Sequence, residues 1–475
     1  MRRVPNFLPI SLQNILRCNQ PTLPKREITV THQYSLRGKH IVIDTNAGAI
    51  HQVDALAFAV IQAPSGQSAE EIAASLSAPL EDVLAIQNDI EALKQMGQLF
   101  TQDDPFAHIA ATVKQSGVVK ALCLHLAHTC NLSCAYCFAK EGTYNGKHAL
   151  MTYETGKQAL DFLVSASGDR TYLEVDFFGG EPLLNWDVLT QLVSYGRSLE
   201  KQHNKRFRFT LTTNGMLLDD DKFPLINREM ETVVLSLDGR KETHDRHRKT
   251  PDGCGSYDIV VPKFQRLVAS RNGQGYYIRG TYTRHNLDFT EDILHIADLG
   301  FREISMEPAV GPLEDLFAIR TADLPAVCNE YERLAAEMHR RNQLGIGFSF
   351  YHYTLNLNNA PCVSKRLLGC GVGTEYLAVT PDGDLFPCHQ FAGDDAQKLG
   401  TVTTGITHPK VTEHFTGRSV YTLSDCTACW AKHFCGGGCA ANAYHATGRV
   451  RGIDAIGCAM FKKRLECAIW LQANE

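Results

Sequence analysis

Between residue 118 and about residue 310 the chain alternates short apolar runs with longer stretches of helical periodicity. The apolar runs predict strands at 121–126, 172–178, 206–212, 231–237, 276–283 and 303–307. The amphipathic stretches predict helices at 153–164, 186–203, 257–270 and 290–299. Strands that alternate with helices are typical of a parallel sheet with helices on its outer face. The pattern therefore predicts an α/β fold made of six strand–helix units.

The segment before this region follows another pattern, in which three short strands precede three helices. Residues 27–100 contain strand patterns at 28–34, 39–43 and 49–53 and helical patterns at 55–62, 68–76 and 79–96. No metal-binding or catalytic constellation lies in this block. We expect residues 1–26, which contain four prolines, to be a poorly ordered extension. A linker is expected at 101–117, and connecting helices at 311–349.

The composition excludes several classes of protein. The chain has 475 residues, of which 44% are hydrophobic and 21% charged, which is ordinary for a globular protein. The net charge of −5 supplies no basic field for a nucleic-acid partner. We expect neither a membrane span nor a signal peptide, because no apolar run is long enough and the N-terminus has no cleavage pattern. The sixteen cysteines therefore indicate metal ligation rather than disulfides, in a reducing cytoplasm.

Three of these cysteines form the most informative motif. Cys130, Cys134 and Cys137 have the spacing C-x3-C-x2-C and directly follow the apolar run at 121–126. A 4Fe-4S cluster is normally held by four thiolates, so three leave one iron open to another ligand. Structural zinc sites use four closed ligands, and an odd triplet cannot pair within itself as disulfides. The motif therefore predicts a cluster with an open iron.

This loop resembles that of the radical S-adenosylmethionine (SAM) enzymes, including the aromatic Tyr136 before the last cysteine. The resemblance implies a partial (β/α)6 barrel over 118–310. It also implies that the amino and carboxylate groups of SAM chelate the open iron. One-electron reduction then cleaves SAM to methionine and a 5′-deoxyadenosyl radical, which abstracts a hydrogen from the substrate. In this family the position of Tyr136 lies near the adenine.

Four further motifs lie at 179–182, 212–215, 236–239 and 244–248. They follow predicted strands, at the end where α/β barrels place their chemistry. Each could by itself be turn chemistry or a helix cap. In this order they resemble the SAM-binding motifs of the family, which implies that Glu181 and nearby carbonyls hold the SAM ammonium and that Arg248 pairs with its carboxylate. The cofactor-binding residues predicted in this way are Tyr136, Gly179, Gly180, Glu181, Asn214, Ser236, Asp238 and Arg248. No catalytic side chain is predicted.

From residue 350 the cysteines change pattern: Cys370 and Cys388 are followed by Cys426-x2-Cys429-x5-Cys435-x3-Cys439 and by Cys458. This pattern resembles the SPASM domain of radical SAM peptide modifiers. The resemblance implies two auxiliary 4Fe-4S clusters, and therefore three clusters in the whole chain. Auxiliary cluster I would use Cys370, Cys388 and Cys439, and auxiliary cluster II would use Cys426, Cys429, Cys435 and Cys458. Cys362 either completes cluster I or leaves it with an open iron. Paired zinc sites are the alternative, because four thiolates also suit zinc.

The remaining cysteines lack partner spacing, and residues of this kind are more often small buried hydrophobes. They are Cys18, Cys123, Cys254, Cys328 and Cys467.

The block at 27–100 resembles the winged-helix element with which enzymes that modify ribosomally made peptides clasp a leader peptide. Such elements bind the leader as an added strand at the edge of their sheet. A DNA-binding winged helix is the alternative, but the helices of this block carry few Lys or Arg residues. The sequence therefore favours a peptide partner.

Longer runs resemble the SCIFF peptide maturases, which install thioether bridges in a short Cys-rich precursor. These runs lie at 279–289, 304–308, 375–391 and 429–432, and the resemblance extends over nearly everything after residue 27. It implies a cytoplasmic enzyme that receives electrons from a donor such as flavodoxin or ferredoxin. A sulfatase-maturing oxidase, a carbon–carbon crosslinking maturase and a zinc-ribbon binding protein are the alternatives. The precursor and the position of its bonds are not predicted.

Overall fold

The computed structural model describes residues 30–110, 113, 117–312, 314–355 and 363–474. The predicted extension at 1–26 lies outside the described residues, as do Cys18, Cys362 and the first residues of the strand predicted at 28–34. Parts of the predicted linkers at 101–117 and 311–349 are also outside them.

A large twisted sheet forms the centre of the molecule. Six of its strands are parallel and lie side by side in chain order, which are β4 (Ala121–His128), β7 (Tyr172–Gly179), β8 (Arg206–Thr213), β9 (Met230–Ser236), β11 (Tyr276–Tyr282) and β12 (Glu303–Pro308). Short strands accompany them, which are β5 (Ser133–Cys134), β6 (Ala149–Leu150), β10 (Arg248–Lys249) and β13 (Ser349–Phe350). All six predicted barrel strands are confirmed.

Helices cover the outer face of this sheet. They are α5 (Tyr153–Ala166), α6 (Trp186–His203), α7 (Phe223–Glu229), α8 (Lys241–His247), α9 (Tyr257–Ser270), α10 (Phe289–Asp298) and α11 (Leu324–Gln343). Helix α5 begins after Thr152, whose side chain accepts a hydrogen bond from the backbone N–H of Thr155. The apolar stripe of α6, with Leu189, Leu192 and Val193, packs against the sheet and is buried.

The two faces of the barrel strands differ in polarity. On β7 the outward residues Leu173, Val175 and Phe177 are buried against helices, whereas the intervening Asp176 and Phe178 are only half-buried. Strand β11 repeats this alternation. A concave face that keeps solvent contact and polar side chains is suited to enclose a substrate.

The three strands and the first three helices of the first block lie where the sequence predicts them, whereas a further short helix lies within the linker predicted at 101–117. The antiparallel sheet of this block has the order β1 (Thr31–Leu36), β2 (Lys39–Asp44), β3 (Ala49–Val53) and is followed by α1 (Ala55–Gln62), α2 (Ala69–Leu76), α3 (Leu80–Gln95) and α4 (Pro105–Ala110). Helix α2 begins with a capping box in which Ser68 and Glu71 bond each other's backbone N–H. The strand β2 in the middle has the most buried side chains of the three.

The last block continues the central sheet. Its elements are α12 (Val363–Leu368), β14 (Tyr376–Val379), β15 (Asp384–Phe386), β16 (Gly400–Thr401), β17 (Gly405–Ile406), α13 (Pro409–Thr416), α14 (Ser424–Thr427), α15 (Lys432–Cys435), α16 (Ala440–Thr447) and α17 (Ala455–Gln472). Strand β14 pairs in parallel with β4, and β15 to β17 follow antiparallel. The barrel and the cysteine-rich block therefore share one sheet.

Helix α17 joins all three blocks. It packs along α11, where Lys463 Nζ lies 2.9 Å from Glu332 Oε1. Its Glu466 accepts contacts from β1, because Tyr34 donates to the Glu466 carbonyl at 2.9 Å and His32 Nε2 lies 2.8 Å from the carboxylate. The ring of His32 also stacks on Trp430 at 3.9 Å. In the described part of the chain no helix is long and apolar enough to cross a membrane.

Candidate active site

The cluster loop, residues 130–137, begins two residues after β4 and is held at its middle by a second chain segment. Strand β5 pairs with β10, so that Cys134 is opposite Arg248 and Ser133 is opposite Lys249. The backbone N–H of Ala135 donates to the carbonyl of His247 at 3.1 Å. The loop is therefore fixed between the end of β4 and the segment that follows α8.

The glycines of the motif at 179–181 allow two backbone segments to touch. Gly180 N–H donates to the Ala127 carbonyl at 2.8 Å, and Glu181 N–H donates to the Thr129 carbonyl at 3.0 Å. A Cβ atom on Gly180 would lie 2.1 Å from the Thr129 oxygen. A side chain at this position would therefore displace the entry to the cluster loop.

Glu181 ties the end of β8 to this motif. Its carboxylate is fully buried and accepts hydrogen bonds from Leu183 N–H at 3.0 Å, Thr213 Oγ1 at 2.8 Å and Asn214 N–H at 2.8 Å. Burial raises the pKa of Glu181 to about 7, against the three hydrogen bonds, which favour the ionised form. The carboxylate thus has three partners inside the protein, and its contact with the SAM ammonium stays a prediction.

Asn214 reaches from the end of β8 to the first cysteine. Its Nδ2 donates to Asn131 Oδ1 at 2.8 Å and lies 3.5 Å from Cys130 Sγ. The backbone N–H of Leu132 also donates to Cys130 Sγ, at 3.4 Å. Donors aimed at sulfur stabilise a thiolate and are a means by which proteins tune metal-bound cysteines.

Asp238, two residues after the end of β9, organises the opposite side of the loop. The carboxylate is fully buried, accepts a hydrogen bond from Thr281 N–H at 3.0 Å and also accepts one from the Tyr136 hydroxyl. Arg248 Nε lies 3.0 Å from Asp238 Oδ2, and the guanidinium carbon is 5.6 Å from the centre of the Tyr136 ring. Burial alone would lower the pKa of Arg248, but the Asp238 carboxylate raises it. The structure thus brings three predicted residues together; the fourth in this area, Ser236, ends β9 and is half-buried.

The loop offers three free thiols, which is the donor set expected for a 4Fe-4S cluster with one open iron, and their ligation stays a prediction. All described cysteines are free thiols, and the charges of Cys130, Cys134 and Cys137 influence one another. Burial raises the pKa of Cys130 to about 12 and that of Cys134 to about 11. A bound metal reverses this effect, because a coordinating thiol is deprotonated. Among the described residues, no three His, Cys, Asp or Glu side chains are grouped to hold a single metal ion.

The cysteines of the last block form two neighbourhoods. Cys388 interacts with Cys370 and Cys439, and Cys458 interacts with Cys426, Cys429 and Cys435. These two groups contain the same cysteines as the predicted auxiliary clusters I and II. Cys435 and Cys439 belong to different groups, although they are only four positions apart. Cluster ligation by either group stays a prediction, and Cys362 lies outside the described residues. Cys254 is exposed rather than buried.

Arg418 lies between the two neighbourhoods and has no motif in the sequence. It is 4% exposed, and its guanidinium donates to the carbonyls of Val450 at 3.2 Å, Gly438 at 3.0 Å and Gly437. Burial lowers the pKa of Arg418, and cysteines of both groups oppose this shift. A buried cation at this place would stabilise thiolates on either side.

The sequence analysis also predicted no site role for the polar residues of the barrel interior. Arg279 bonds Glu307 at 2.5 Å, and Glu307 lies 3.5 Å from His352. Asp176 lies on the same inner face. Polar positions that alternate with buried apolar ones were the available signal, since period two marks opposite faces of a strand.

Comparisons with known proteins agree with this geometry. A family model described as a 4Fe-4S single cluster domain matches residues 114–261, which contain the cluster loop and four barrel strands. The radical SAM cyclopropyl synthase TigE of Paramaledivibacter caminithermalis is 22% identical over 375 residues, covering 75% of each chain. The cysteine-type anaerobic sulfatase-maturating enzyme of Clostridium novyi is 22% identical over 334 residues, covering 66% of this chain and 85% of that protein.

Two solved structures have the same fold. The structure of anSMEcpe with bound AdoMet has a TM-score of 0.64 and 20% identity, and the match covers 75% of this chain and 94% of that one. Streptococcus suis SuiB bound to S-adenosylmethionine has a TM-score of 0.52 and 16% identity, with coverages of 91% and 100%. The predicted resemblance of this chain to the radical SAM/SPASM peptide-modifying enzymes is thereby confirmed.

Proposed function

We propose that the chain is a radical SAM maturase that forms intramolecular thioether crosslinks, from Cys sulfur to carbon, in a ribosomally made, Cys-rich precursor peptide. The observation that carries this proposal is the position of His389. It directly follows Cys388, a predicted ligand of auxiliary cluster I. Its ring lies 5.8 Å from the ring of Phe138, next to the cluster loop, and 5.1 Å from that of Phe178, next to Gly179. These ring contacts support an arrangement in which both predicted clusters serve one peptide in the barrel.

The side chains have separate tasks in this proposal. Cys130, Cys134 and Cys137 would hold the SAM-binding cluster, with Asn214 and Leu132 N–H donating to Cys130. When bound, the cluster and SAM supply a carbon radical that removes a hydrogen atom from the peptide. The barrel wall excludes water and competing hydrogen donors from that radical. A Cys thiol of the peptide then bonds to the carbon that lost its hydrogen, at the side where Cys388 lies.

The first block would clasp the leader of the precursor. Strand β1 packs on α17 and Trp430, so β3 is the outer edge of the small sheet, and no other strand of the described chain pairs there. His51 of β3 bonds the carbonyl of Gln98 at 2.8 Å and fastens this edge to the end of α3. An exposed edge of this kind accepts an extended peptide as an added strand. Binding the leader there raises the concentration of the core peptide at the barrel.

The extent of the structural matches supports a peptide clasp. SuiB, also solved with its precursor peptide SuiA, covers 90% of this chain in that complex, whereas anSMEcpe covers 75%. The larger coverage is what a shared N-terminal block would give. A sulfatase-maturing reaction is the second candidate, favoured by the higher TM-score of 0.64 for anSMEcpe.

The test of the proposal uses the full chain and a short Cys-rich peptide, chosen by searching the reading frames beside its gene. The protein is reconstituted anaerobically, reduced with dithionite and incubated with SAM and this peptide. We expect deoxyadenosine and a peptide that has lost two hydrogens per crosslink. A product without this loss, or the absence of a Cys-rich reading frame beside the gene, would contradict thioether formation. Iron content is a separate measurement, in which three 4Fe-4S clusters would give about twelve irons per chain.

A truncated peptide separates the two candidate functions. A leader-dependent maturase should process the peptide without its N-terminal half far more slowly, because the clasp no longer contributes. A sulfatase-type enzyme should process both forms equally. Flavodoxin and ferredoxin are the donors that we propose in the cell, where a reducing cytoplasm would preserve the clusters.

A further inference from the structure

Asp176 is a half-buried carboxylate that the proposed function does not yet use. It lies on the inner face of β7, opposite Cys123 of β4 and Thr210 of β8. At about 3.3 Å per strand residue, it lies about 10 Å from Gly179, at the end of the barrel that carries the cluster loop. Asp176 is therefore within the barrel, below the predicted SAM site.

The partners of Asp176 do not compensate its charge. Its one hydrogen bond is from Thr212 Oγ1 at 3.5 Å, which is long, and no Lys, Arg or His of the described residues forms an ion pair with it. Burial raises the pKa of Asp176 to about 7, against the Thr212 contact. An uncompensated buried carboxylate costs stability, and such groups are concentrated at functional sites.

The groups that face Asp176 are neutral near pH 7. They are Cys123 on β4, Thr212 on β8, Tyr277 on β11, Tyr376 on β14 and Tyr144 beyond the cluster loop. Tyr376 links this place to the predicted auxiliary cluster I, because its hydroxyl lies 3.1 Å from His389 Nδ1. Cys123 likewise interacts with both Asp176 and Cys388. Asp176 thus lies between the two predicted cluster sites.

The inner face beside Asp176 is accessible to a substrate. Arg279 and Glu307, which line the same interior, retain 37% and 34% of their side-chain exposure. The inner-facing residues of β11 are half-buried, whereas the outward ones are buried. A peptide side chain could therefore approach the carboxylate from the barrel interior.

We propose that Asp176 is the base that accepts the proton of the peptide thiol as this thiol closes on its carbon, an inference that rests on the proposed function. The C–H bond of the acceptor residue breaks when its hydrogen atom passes to the deoxyadenosyl radical. The S–H bond breaks when the proton passes to Asp176. The S–C bond then forms from a sulfur lone pair and the carbon radical, which leaves one surplus electron. An oxidised auxiliary 4Fe-4S cluster, which Cys370, Cys388 and Cys439 would hold, would supply the acceptor for this electron.

The test compares Asp176→Asn with the wild-type chain, using SAM and the Cys-rich peptide with which the proposed function is tested. Removing a general base costs at least about 100-fold in rate, and we expect that loss in crosslinking near neutral pH. Deoxyadenosine release should remain, because SAM cleavage does not need this base. In the wild-type protein the crosslinking rate should rise through pH about 7 and the variant should lack this rise.

Glu174→Gln is the matched control, because Glu174 lies on the same strand and face but is exposed. It should crosslink at the wild-type rate. Equal crosslinking by Asp176→Asn, or equal loss of crosslinking and deoxyadenosine, would overturn the role of a base. If the wild-type chain cleaves SAM without forming crosslinks, the proposed function fails, and this inference with it.

A second readout needs neither peptide nor clusters. The folded-state pKa of Asp176 is raised, so its contribution to stability is lost as pH rises from the unfolded-state value through about 7. Unfolding of the cluster-free chain should show Asp176→Asn gaining stability over wild type across this range, while Glu174→Gln gains none. A constant difference between Asp176→Asn and wild type would overturn the inference.

Discussion

The cluster loop and the barrel interior differ in how many hydrogen bonds their carboxylates accept. At the loop, Glu181 accepts three hydrogen bonds, and Asp238 accepts from Thr281 N–H and Tyr136 and pairs with Arg248. In the interior, the one hydrogen bond that Asp176 forms with described residues is the long one from Thr212. Both regions lie within one barrel and are built on neighbouring strands.

The number of hydrogen bonds distinguishes carboxylates that stabilise the site, Glu181 and Asp238, from a carboxylate that a substrate can still contact, Asp176. Fully bonded carboxylates fix the backbone that carries the cysteines. Such networks are rigid, because removing one member leaves the other buried groups without hydrogen-bond partners. A carboxylate with only one long hydrogen bond can change its protonation state at little structural cost. We therefore expect substitutions in the two regions to have opposite effects on stability.

The largest effect is expected when a loop cysteine is removed. Cys134→Ala should abolish deoxyadenosine formation, because the remaining two thiolates cannot hold the cluster that binds SAM. The measurement is deoxyadenosine per chain together with iron content. Cys254→Ala is the control, since Cys254 is exposed and has no partner spacing, and it should retain both. Deoxyadenosine at the wild-type rate from Cys134→Ala would contradict the assignment of the loop.

The next effect contrasts the two regions directly. Asp238→Asn leaves Arg248 buried without its counter-charge, and breaking a buried pair costs about 3 to 5 kcal/mol. Asp176→Asn should instead stabilise the chain at pH 8, by at most about 4 kcal/mol for a pKa raised from 3.8 to about 7. The measured gain should be smaller, because Asp176 keeps some solvent contact. Denaturant unfolding of both variants checks this contrast, and a change of the same sign in both would refute it.

Arg418→Met tests whether the last block can lose its iron while the cluster loop of the barrel keeps its own. The substitution leaves three buried carbonyls without their donor, at about 1 to 3 kcal/mol for each unsatisfied group. We expect iron of the last block to be lost while the loop retains its four, so about four of twelve irons remain. Arg449→Met is the control on an exposed residue of the same block and should keep all of them. Loss of deoxyadenosine by Arg418→Met without loss of iron would contradict this division.

The smallest effect is expected for Tyr136→Phe. It removes the hydroxyl that donates to Asp238 but keeps the ring beside Arg248. A hydrogen bond to a charged group contributes about 1.5 to 3 kcal/mol, and Asp238 retains its other partners. Unfolding should show a loss near the lower value with iron content unchanged. A loss as large as that of Asp238→Asn would mean that the network depends on this single bond.

The barrel could be predicted from the sequence because its strands carry a strong period. Residues such as Leu173, Val175 and Phe177 alternate with polar ones, and the helices between the strands have regular apolar stripes. The cluster loop was predicted from spacing alone, because three closely spaced thiols at a strand end are typical of an iron–sulfur site. The helices of the first block were predicted within one or two residues of their observed bounds because their apolar residues recur at helical spacing.

The remaining features depend on contacts distant in sequence. Strand β14 is four residues long, and only its pairing with β4 makes it part of the barrel sheet. The environment of Asp176 depends on Tyr376, two hundred positions later. Arg418 acquires its position from carbonyls at 437, 438 and 450. No local pattern marks such residues, since their surroundings come from other parts of the chain.

Electron paramagnetic resonance of the reduced, reconstituted chain tests the central claim most directly. If three loop thiolates hold a cluster whose fourth iron binds SAM, adding SAM should change the signal of one cluster and leave the others as they were. A chain with Cys130, Cys134 and Cys137 all replaced by alanine should lack that component. A spectrum that SAM does not alter, or a SAM-sensitive signal that persists without these thiols, would contradict the account.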